Sequence, residues 1–115
     1  MSNLKNLTKA LLEFRKERKW EQFHNPKDQA ISIALEASEF LEHFQWKNPK
    51  EVTEYVKRHK EELSEELADI LCYLLMTSHD LQIDIVKAAE EKLAKSKKKY
   101  PIEKAKGVHT KYNKF

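Results

Sequence analysis

Residues that end or bend regular structure are scarce in this chain, which has one glycine and three prolines among its 115 residues. Leucine, glutamate, lysine and alanine are abundant instead, and all four favour helices. The composition therefore favours an all-helical chain. The single cysteine, Cys72, excludes an internal disulfide bond. Its position between Leu71 and Tyr73 predicts a buried helix residue in a protein from a reducing compartment.

Long apolar runs are also missing. None approaches the roughly 20 residues of a membrane-spanning helix, and the N-terminus lacks the apolar segment of a secretory signal. A cytoplasmic protein with no membrane partner is therefore expected. The net charge of +3 is too small by itself to indicate nucleic-acid binding. Nine lysines and one acid, Glu103, lie between Lys92 and Lys114, so a nucleic-acid-binding tail is a minor alternative and no nucleic-acid partner is expected.

Hydrophobic residues make up 40% of the chain and recur at helical spacing, which predicts a folded domain despite 36% charged residues. A chain of this length forms one small domain whose core is marginal without self-association. We predict an all-α four-helix bundle with one extra short helix. The expected helices span about 3–19, 26–46 and 50–58, then a long stretch to Ser78, and finally Asp84 to about Lys99.

Local signals mark where three of these helices begin. The capping signals are Asn25 with Pro26, Asn48 with Pro49 and a capping-box Glu51, and Asp84. The second helix is expected to bury Ala30, Ile33, Ala34, Ala37, Leu41 and Phe44. Residues 1–101 are expected to form the domain, and residues 102–115 a basic tail that is either disordered or laid over a partner subunit.

Two pairs of carboxylates lie within the predicted helices, Glu36 with Glu39 and Glu66 with Asp69. Residues three apart share one helix face, with Cβ atoms roughly 5–6 Å apart. Both pairs border an apolar stripe, where four acids are costly unless a cation neutralises them. An all-carboxylate site suits Mg²⁺ better than zinc. The pattern therefore predicts a Mg²⁺ site between two antiparallel helices.

Other interpretations of these acids compete with the magnesium site. For any single pair, a solvated helix face is the more common reason for the spacing. A di-iron bundle would need Glu-x-x-His motifs, and the predicted helices that carry the acidic pairs contain none. A non-catalytic helical interaction module, whose acids only solubilise the helices, is the alternative from another functional class. It predicts no Mg²⁺-induced rise in melting temperature.

The order of the motifs resembles the all-α NTP pyrophosphohydrolases, the MazG-like superfamily. The resemblance rests on Glu36-x-x-Glu39 followed further along by Glu65-Glu66-Leu67-Ala68-Asp69. The flanking segments are similar to the dCTP pyrophosphatase branch of that superfamily: Glu17-Arg18-Lys19-Trp20-Glu21-Gln22-Phe23-His24, Phe44-Gln45-Trp46 and Lys99-Tyr100-Pro101. The likeness covers residues 4 to 101, with the motifs in the same order.

The resemblance implies Mg²⁺-dependent hydrolysis of a nucleoside triphosphate to its monophosphate and pyrophosphate. It implies dCTP or a modified pyrimidine dNTP as substrate, a role in nucleotide-pool house-cleaning, and a homo-oligomer, either dimer or tetramer, with sites near subunit contacts. The implied metal ligands and catalytic residues are Glu36, Glu39, Glu66 and Asp69. The implied substrate-binding residues are Trp20, His24, Trp46 and Tyr73 around the base, and Lys92 and Lys99 near the phosphates.

The Trp, His and Lys assignments each have a plainer alternative. An isolated Trp is more often a packing residue, His24 is equally well a helix-start residue, and C-terminal lysines often form a solvated face favoured by the helix dipole. The chain also departs from the family pattern, with Ser96 in place of the usual Asn and Leu11 in place of a His near the base. These departures predict base contacts that differ from those typical of the branch.

Overall fold

The structure, a computed structural model, describes residues 3–109 and residue 114, and within those residues every regular element is helical. The elements are α1 (Asn3–Glu17), a 3-10 turn (Glu21–Phe23), α2 (Pro26–Glu42), α3 (Pro49–Arg58), α4 (Lys60–Asp80), α5 (Ile85–Lys99) and α6 (Ile102–Ala105). The predicted all-α class is confirmed, and α3 is the extra short helix. No helix in the described ranges is both long and apolar enough to cross a membrane.

The predicted capping residues fix the starts of α2, α3 and α5. The side chain of Asn25 accepts a hydrogen bond from the Asp28 N–H at 3.0 Å. Asn48 and Glu51 make both bonds of a capping box, at 2.9 and 3.1 Å. At α5, the carboxylate of Asp84 accepts from a backbone N–H in the first turn at 3.1 Å. Each bond satisfies a backbone donor that has no partner inside its helix.

The helix ends differ from the prediction where local turns intervene. The second helix ends at Glu42 rather than Trp46, because residues 43–46 form a tighter turn in which the Phe44 N–H donates to the Leu41 carbonyl at 2.9 Å. The expected break before the long helix lies at His59, whose φ of −124° separates α3 from α4.

The chain forms two compact units, Met1–Gln82 and Ile83–Phe115. In the first unit, α4 contacts α1, α2 and α3. Two side-chain contacts show that α2 and α4 run antiparallel: Gln29 meets Asp80 at 2.7 Å, and His43 lies 3.9 Å from Glu66. The second unit contains α5 and α6.

The predicted division at residue 101 stays a prediction, and part of the predicted tail, residues 110–113 and 115, lies outside the described residues.

The apolar core of the described chain is small. Its buried apolar side chains are Leu63, Leu75 and Met76, all on α4. The prediction that α2 buries six residues is wrong for the single chain: Ala30, Ala34 and Ala37 are exposed, Leu41 is 55% exposed, and Ile33 and Phe44 are half-buried. The apolar face of α2 is wider than the part of it that α4 covers, so several of its apolar residues stay exposed. Cys72 is half-buried rather than buried, and burial raises the pKa of its thiol.

Candidate metal centre

The antiparallel packing of α2 on α4 brings three of the four predicted acids together. Glu36, Glu39 and Glu66 each offer a carboxylate oxygen, and these oxygens all lie within 4.8 Å of one another. Asp69 is one turn beyond Glu66 on α4 and lies outside that group. Its charge nevertheless contributes to the raised pKa values of Glu36 and Glu66, so it belongs to the same electrostatic cluster.

The surroundings of the cluster disfavour the ionised form of two of its carboxyl groups, those of Glu36 and Glu66. Burial raises the pKa of Glu36 to about 7, with further contributions from the carboxyl of Glu39 and from the charges of Asp69 and Glu66. Burial and Glu39 also raise the pKa of Glu66, and the nearby His43 opposes this rise. Carboxyls that crowd together in a poorly solvated place resist ionisation unless a cation compensates them.

Two carboxylate oxygen atoms of the cluster have no hydrogen-bond donor to compensate their burial. Glu36 Oε2 and Glu66 Oε2 are both buried and have no hydrogen-bond partner. A buried carboxylate oxygen without a donor is uncommon, because it has lost its water and gained nothing in exchange. Carboxylate oxygens from two helices suit a hard divalent cation such as Mg²⁺. The residues present therefore fit a metal ion.

A hollow of about 370 Å³ opens beside the cluster, bordered by Glu39, Glu42, His43, Lys47, Tyr55 and Glu66. His43 Nδ1 lies 2.5 Å from the Tyr55 hydroxyl, and the other ring nitrogen is 3.9 Å from Glu66 Oε1. Lys47 Nζ donates to the His43 carbonyl at 2.7 Å and lies 4.2 Å from the centre of the Tyr55 ring. The hollow is thus bordered by three acids, Glu39, Glu42 and Glu66, and by one lysine.

Four residues of this hollow were missed by the reasoning from sequence: Glu42, His43, Lys47 and Tyr55. His43 follows Glu39 by four positions, so its place on the same side of α2 could have been read from the helical period. Lys47 and Tyr55 carried no such signal. Their positions depend on the turn after α2 and on the packing of α3 against α4, which no local pattern specifies.

The predicted aromatic residues lie at opposite ends of α2. Trp20, 44% exposed, precedes the helix and packs edge-on against Phe14 at 5.5 Å. His24, half-buried, follows Trp20 by four positions, and its Nδ1 lies 3.1 Å from Arg15 Nη1. Trp46 follows the helix and is 86% exposed. Since the 17 residues of α2 span about 25 Å, one chain does not bring the two Trp side chains together.

The remaining predicted residues are distributed over two helices. Tyr73 is half-buried on α4, one turn after Asp69. Lys92 and Lys99 are exposed on α5, in the second compact unit.

Fold and cluster together define an all-α protein with an acidic site suited to a divalent cation. The sequence profile of the MazG-like family matches residues 31–115. The chain therefore belongs to the MazG-like family, and the resemblance seen in its motifs is confirmed. A solved structure described as a pyrophosphatase, from Archaeoglobus fulgidus, is similar with a TM-score of 0.84 and 39% identity, over 88% of this chain and 94% of that one.

Curated relatives agree with the predicted branch of the family. The chain is 33% identical to dCTP pyrophosphatase 1 of Rattus norvegicus over 111 residues, which is 95% of this chain and 65% of the relative. It is 32% identical to dCTP pyrophosphatase 1 of Homo sapiens over the same share of both chains. The chain thus spans slightly less than two thirds of the length of these relatives.

Proposed function

We propose that the protein is a Mg²⁺-dependent nucleoside triphosphate pyrophosphohydrolase, which converts a dNTP and water to the dNMP and pyrophosphate. Its substrate is dCTP or a modified pyrimidine dNTP, and its role is nucleotide-pool house-cleaning. The observation that carries the proposal is the cluster of Glu36, Glu39 and Glu66 with its unpartnered buried oxygens, in a chain of the MazG-like family. The names of the relatives support the reaction and the base.

The chain's own residues divide the work of this reaction. Glu36, Glu39, Glu66 and Asp69 hold the ion, as metal ligands and catalytic residues. Bound Mg²⁺ supplies neutralisation of charge on the phosphates and lowers the pKa of a bound water. Glu39 and Glu66 line the hollow and are the carboxylates best situated to orient the water that attacks the α-phosphorus.

Substrate recognition falls to residues outside the cluster. Trp20, Trp46 and Tyr73 offer aromatic faces to the base, and His24 offers a ring nitrogen. Lys92 and Lys99 are proposed phosphate ligands. To these we add Lys47, which lines the same hollow as Glu39 and Glu66 and carries a positive charge suited to a triphosphate.

Product analysis tests the reaction. Purified protein is incubated with Mg²⁺ and a panel of dNTPs and NTPs, and the products are separated. The expected result is equal amounts of monophosphate and pyrophosphate, with the highest turnover on a pyrimidine deoxynucleotide. Release of orthophosphate without monophosphate, or no turnover of any substrate, contradicts the proposal.

A matched pair of variants tests the metal ligands. Glu66→Gln is expected to lower kcat by about 100-fold or more, because an amide replaces an ionic ligand without changing the shape of the side chain. Glu65→Gln is the control, since the Glu65 carboxylate, although adjacent to Glu66 in sequence, is exposed and lies outside the cluster. Activity and the Mg²⁺-induced rise in melting temperature are measured on both. A fully active Glu66→Gln removes that residue from the metal site.

The same thermal measurement distinguishes the proposal from a non-catalytic interaction module. A module whose acids serve only solubility has no reason to bind the ion, so its melting temperature does not respond to Mg²⁺. A rise that is lost in Glu66→Gln and kept in Glu65→Gln supports the metal site instead.

Assembly and location complete the proposal. We infer a homo-oligomer, dimer or tetramer, because the predicted aromatic residues are separated along α2 and several large apolar side chains of α2 and α4 are exposed: Ile31, Leu35, Leu67, Leu71 and Leu74. A cytoplasmic location is part of the same proposal and is consistent with the free thiol of Cys72. No nucleic-acid or membrane partner is proposed.

A further inference from the structure

A buried arginine connects three helices at the end of α2 that is remote from the acidic cluster. Arg15 of α1 is 7% exposed, and its guanidinium donates to the Asp80 carboxylate of α4 at 2.5 and 2.8 Å. Gln29 of α2, which is 2% exposed, donates from Nε2 to the same carboxylate at 2.7 Å. A buried guanidinium is tolerated only when its charge and its donors are matched. This network is therefore a fixed part of the fold.

The same guanidinium reaches a third partner. Arg15 Nη1 carries two N–H groups, one directed to Asp80 and the other available to His24 Nδ1, which lies 3.1 Å away. A guanidinium has donors and no acceptor, and it stays charged in proteins. His24 Nδ1 must therefore accept this hydrogen bond. A ring nitrogen that accepts carries no proton, so the proton of the neutral imidazole lies on Nε2.

Arg15 also holds the other end of the segment that leads to His24. Its carbonyl accepts the N–H of Trp20 at 2.9 Å. Residues 20–24 are thus tied to one residue at both ends, by its main chain at Trp20 and by its side chain at His24. Both ends carry side chains that the proposed function assigns to the substrate.

We propose that Arg15 is a positioning residue that fixes His24 as an Nε2–H donor toward the nucleoside part of the substrate. This inference rests on the proposed function. A fixed N–H donor selects a hydrogen-bond acceptor, and the carbonyl oxygen and unprotonated ring nitrogen of cytosine are acceptors of this kind. An exocyclic amino group, which is a donor, is not. The Arg15 network therefore sets which edge of the base can meet His24.

Two substitutions at His24 test where the donor is needed. In His24→Gln the amide nitrogen can take the place of Nε2, whereas in His24→Asn it can reach only the place of Nδ1. We expect His24→Gln to keep kcat/KM within about threefold of the wild-type value, and His24→Asn to lose about tenfold, mainly through KM. Equal losses in the two variants contradict a donor at Nε2.

A double-mutant cycle tests whether Arg15 acts through His24. Arg15→Lys keeps a positive charge for Asp80, but a single ammonium cannot replace the fork that spans Asp80 and His24. We expect this substitution to raise KM by about fivefold in the wild-type background and by less than about twofold in a His24→Ala background. An equal effect in both backgrounds shows that Arg15 only supports the fold, and it overturns the proposal.

The tautomer of His24 provides a readout that needs no substrate. Imidazole ¹⁵N shifts, measured on the full chain, are expected to show a protonated Nε2 and an unprotonated Nδ1 for His24, and a mixture of tautomers in Arg15→Lys. An Nδ1–H tautomer in the wild-type protein overturns the proposal even if Arg15→Lys does not fold. If no nucleotide is hydrolysed, the proposed function fails, and the ¹⁵N result still decides the effect of Arg15 on His24.

Discussion

At the scale of single residues, protonation of Glu36 in the candidate metal centre makes the free energy of unfolding depend on pH. Its pKa is raised from the ordinary value of 4.5 to about 7. Between these two pH values the folded protein binds more protons than the unfolded chain. The free energy of unfolding of the metal-free protein therefore falls as the pH rises through this interval. Asp80 does not interfere, because its pKa is lowered and its contribution is lost only at more acidic pH.

Glu36→Gln is expected to remove part of this dependence. The variant should be more stable than the wild-type protein above pH 7 in the presence of a chelator, and its stability should fall less between about pH 4.5 and 7. Denaturant unfolding at several pH values measures both effects. Glu65→Gln serves as the control for loss of an exposed carboxylate.

Mg²⁺ should oppose this fall in the free energy of unfolding of the wild-type protein, because the ligands must be deprotonated to bind it. The stabilisation produced by a fixed Mg²⁺ concentration is therefore expected to grow as the pH rises toward and beyond 7, and to be absent in Glu36→Gln. Identical pH profiles for the variant and the wild-type protein would falsify the raised pKa.

At the scale of elements, the end of α1 shows how a helix can be stopped without glycine. The Lys19 N–H donates to the Lys16 carbonyl at 3.0 Å, and the Trp20 N–H donates to the Arg15 carbonyl at 2.9 Å. These are the two bonds of a Schellman motif, and Phe14 packs on Trp20 as its hydrophobic contact. Lys19 occupies the left-handed position, with a φ of 56°.

Lys19→Gly is expected to increase the free energy of unfolding by about 1 kcal/mol, because a side chain is strained at positive φ and glycine is not. Lys19→Ala is the matched control: it removes the same charge near the helix terminus and keeps the Cβ atom. Chemical denaturation of the three proteins measures the difference. A glycine variant no more stable than the alanine variant argues against a left-handed Lys19.

At the scale of the whole molecule, the separation of Trp20 from Trp46 bears on how a complete site is assembled. The acidic cluster needs only α2 and α4 of one chain, whereas the two aromatic residues lie beyond opposite ends of α2. Exposed leucines on α4, at positions 67, 71 and 74, follow the helical period and form a stripe that a second copy can cover. A site shared between copies therefore follows from the proposed function.

Two inactive variants should complement each other if sites are shared. Under the proposed function Glu66→Gln lacks a metal ligand and Trp20→Ala lacks a base contact, so each alone is expected to have little activity. When they are co-expressed, half of the dimers contain one copy of each, and one of the two sites in such a dimer is intact. Recovery to about a quarter of the wild-type activity is expected.

Mass measurement by light scattering accompanies this experiment. A particle of 13.7 kDa, the mass of one chain, contradicts the oligomer. Mixed dimers that form but recover no activity show instead that each site is built from a single copy.

Much of the fold could be predicted from the sequence because its signals are local. Asn25, Asn48 and Asp84 each satisfy a backbone donor three residues away, so a short window of sequence contains both partners. The pairing of Glu36 with Glu39 on one helix face is equally local. The wrong prediction, that six apolar residues of α2 and the following turn are buried, also has a physical reason. Their burial depends on which other surface covers them, and that surface is not specified by the local sequence.

The sequence by itself determined the helices, their caps and the acids on each helix, since these depend on neighbours within one or two turns. The tertiary structure decided which groups meet across helices. It joined Arg15 to Asp80, 65 positions apart, and it placed His43 between Tyr55 and Glu66. The physical reason is the register of α2 against α4, which is set by side-chain packing and buried hydrogen bonds over the whole interface and is encoded in no single stretch of the chain.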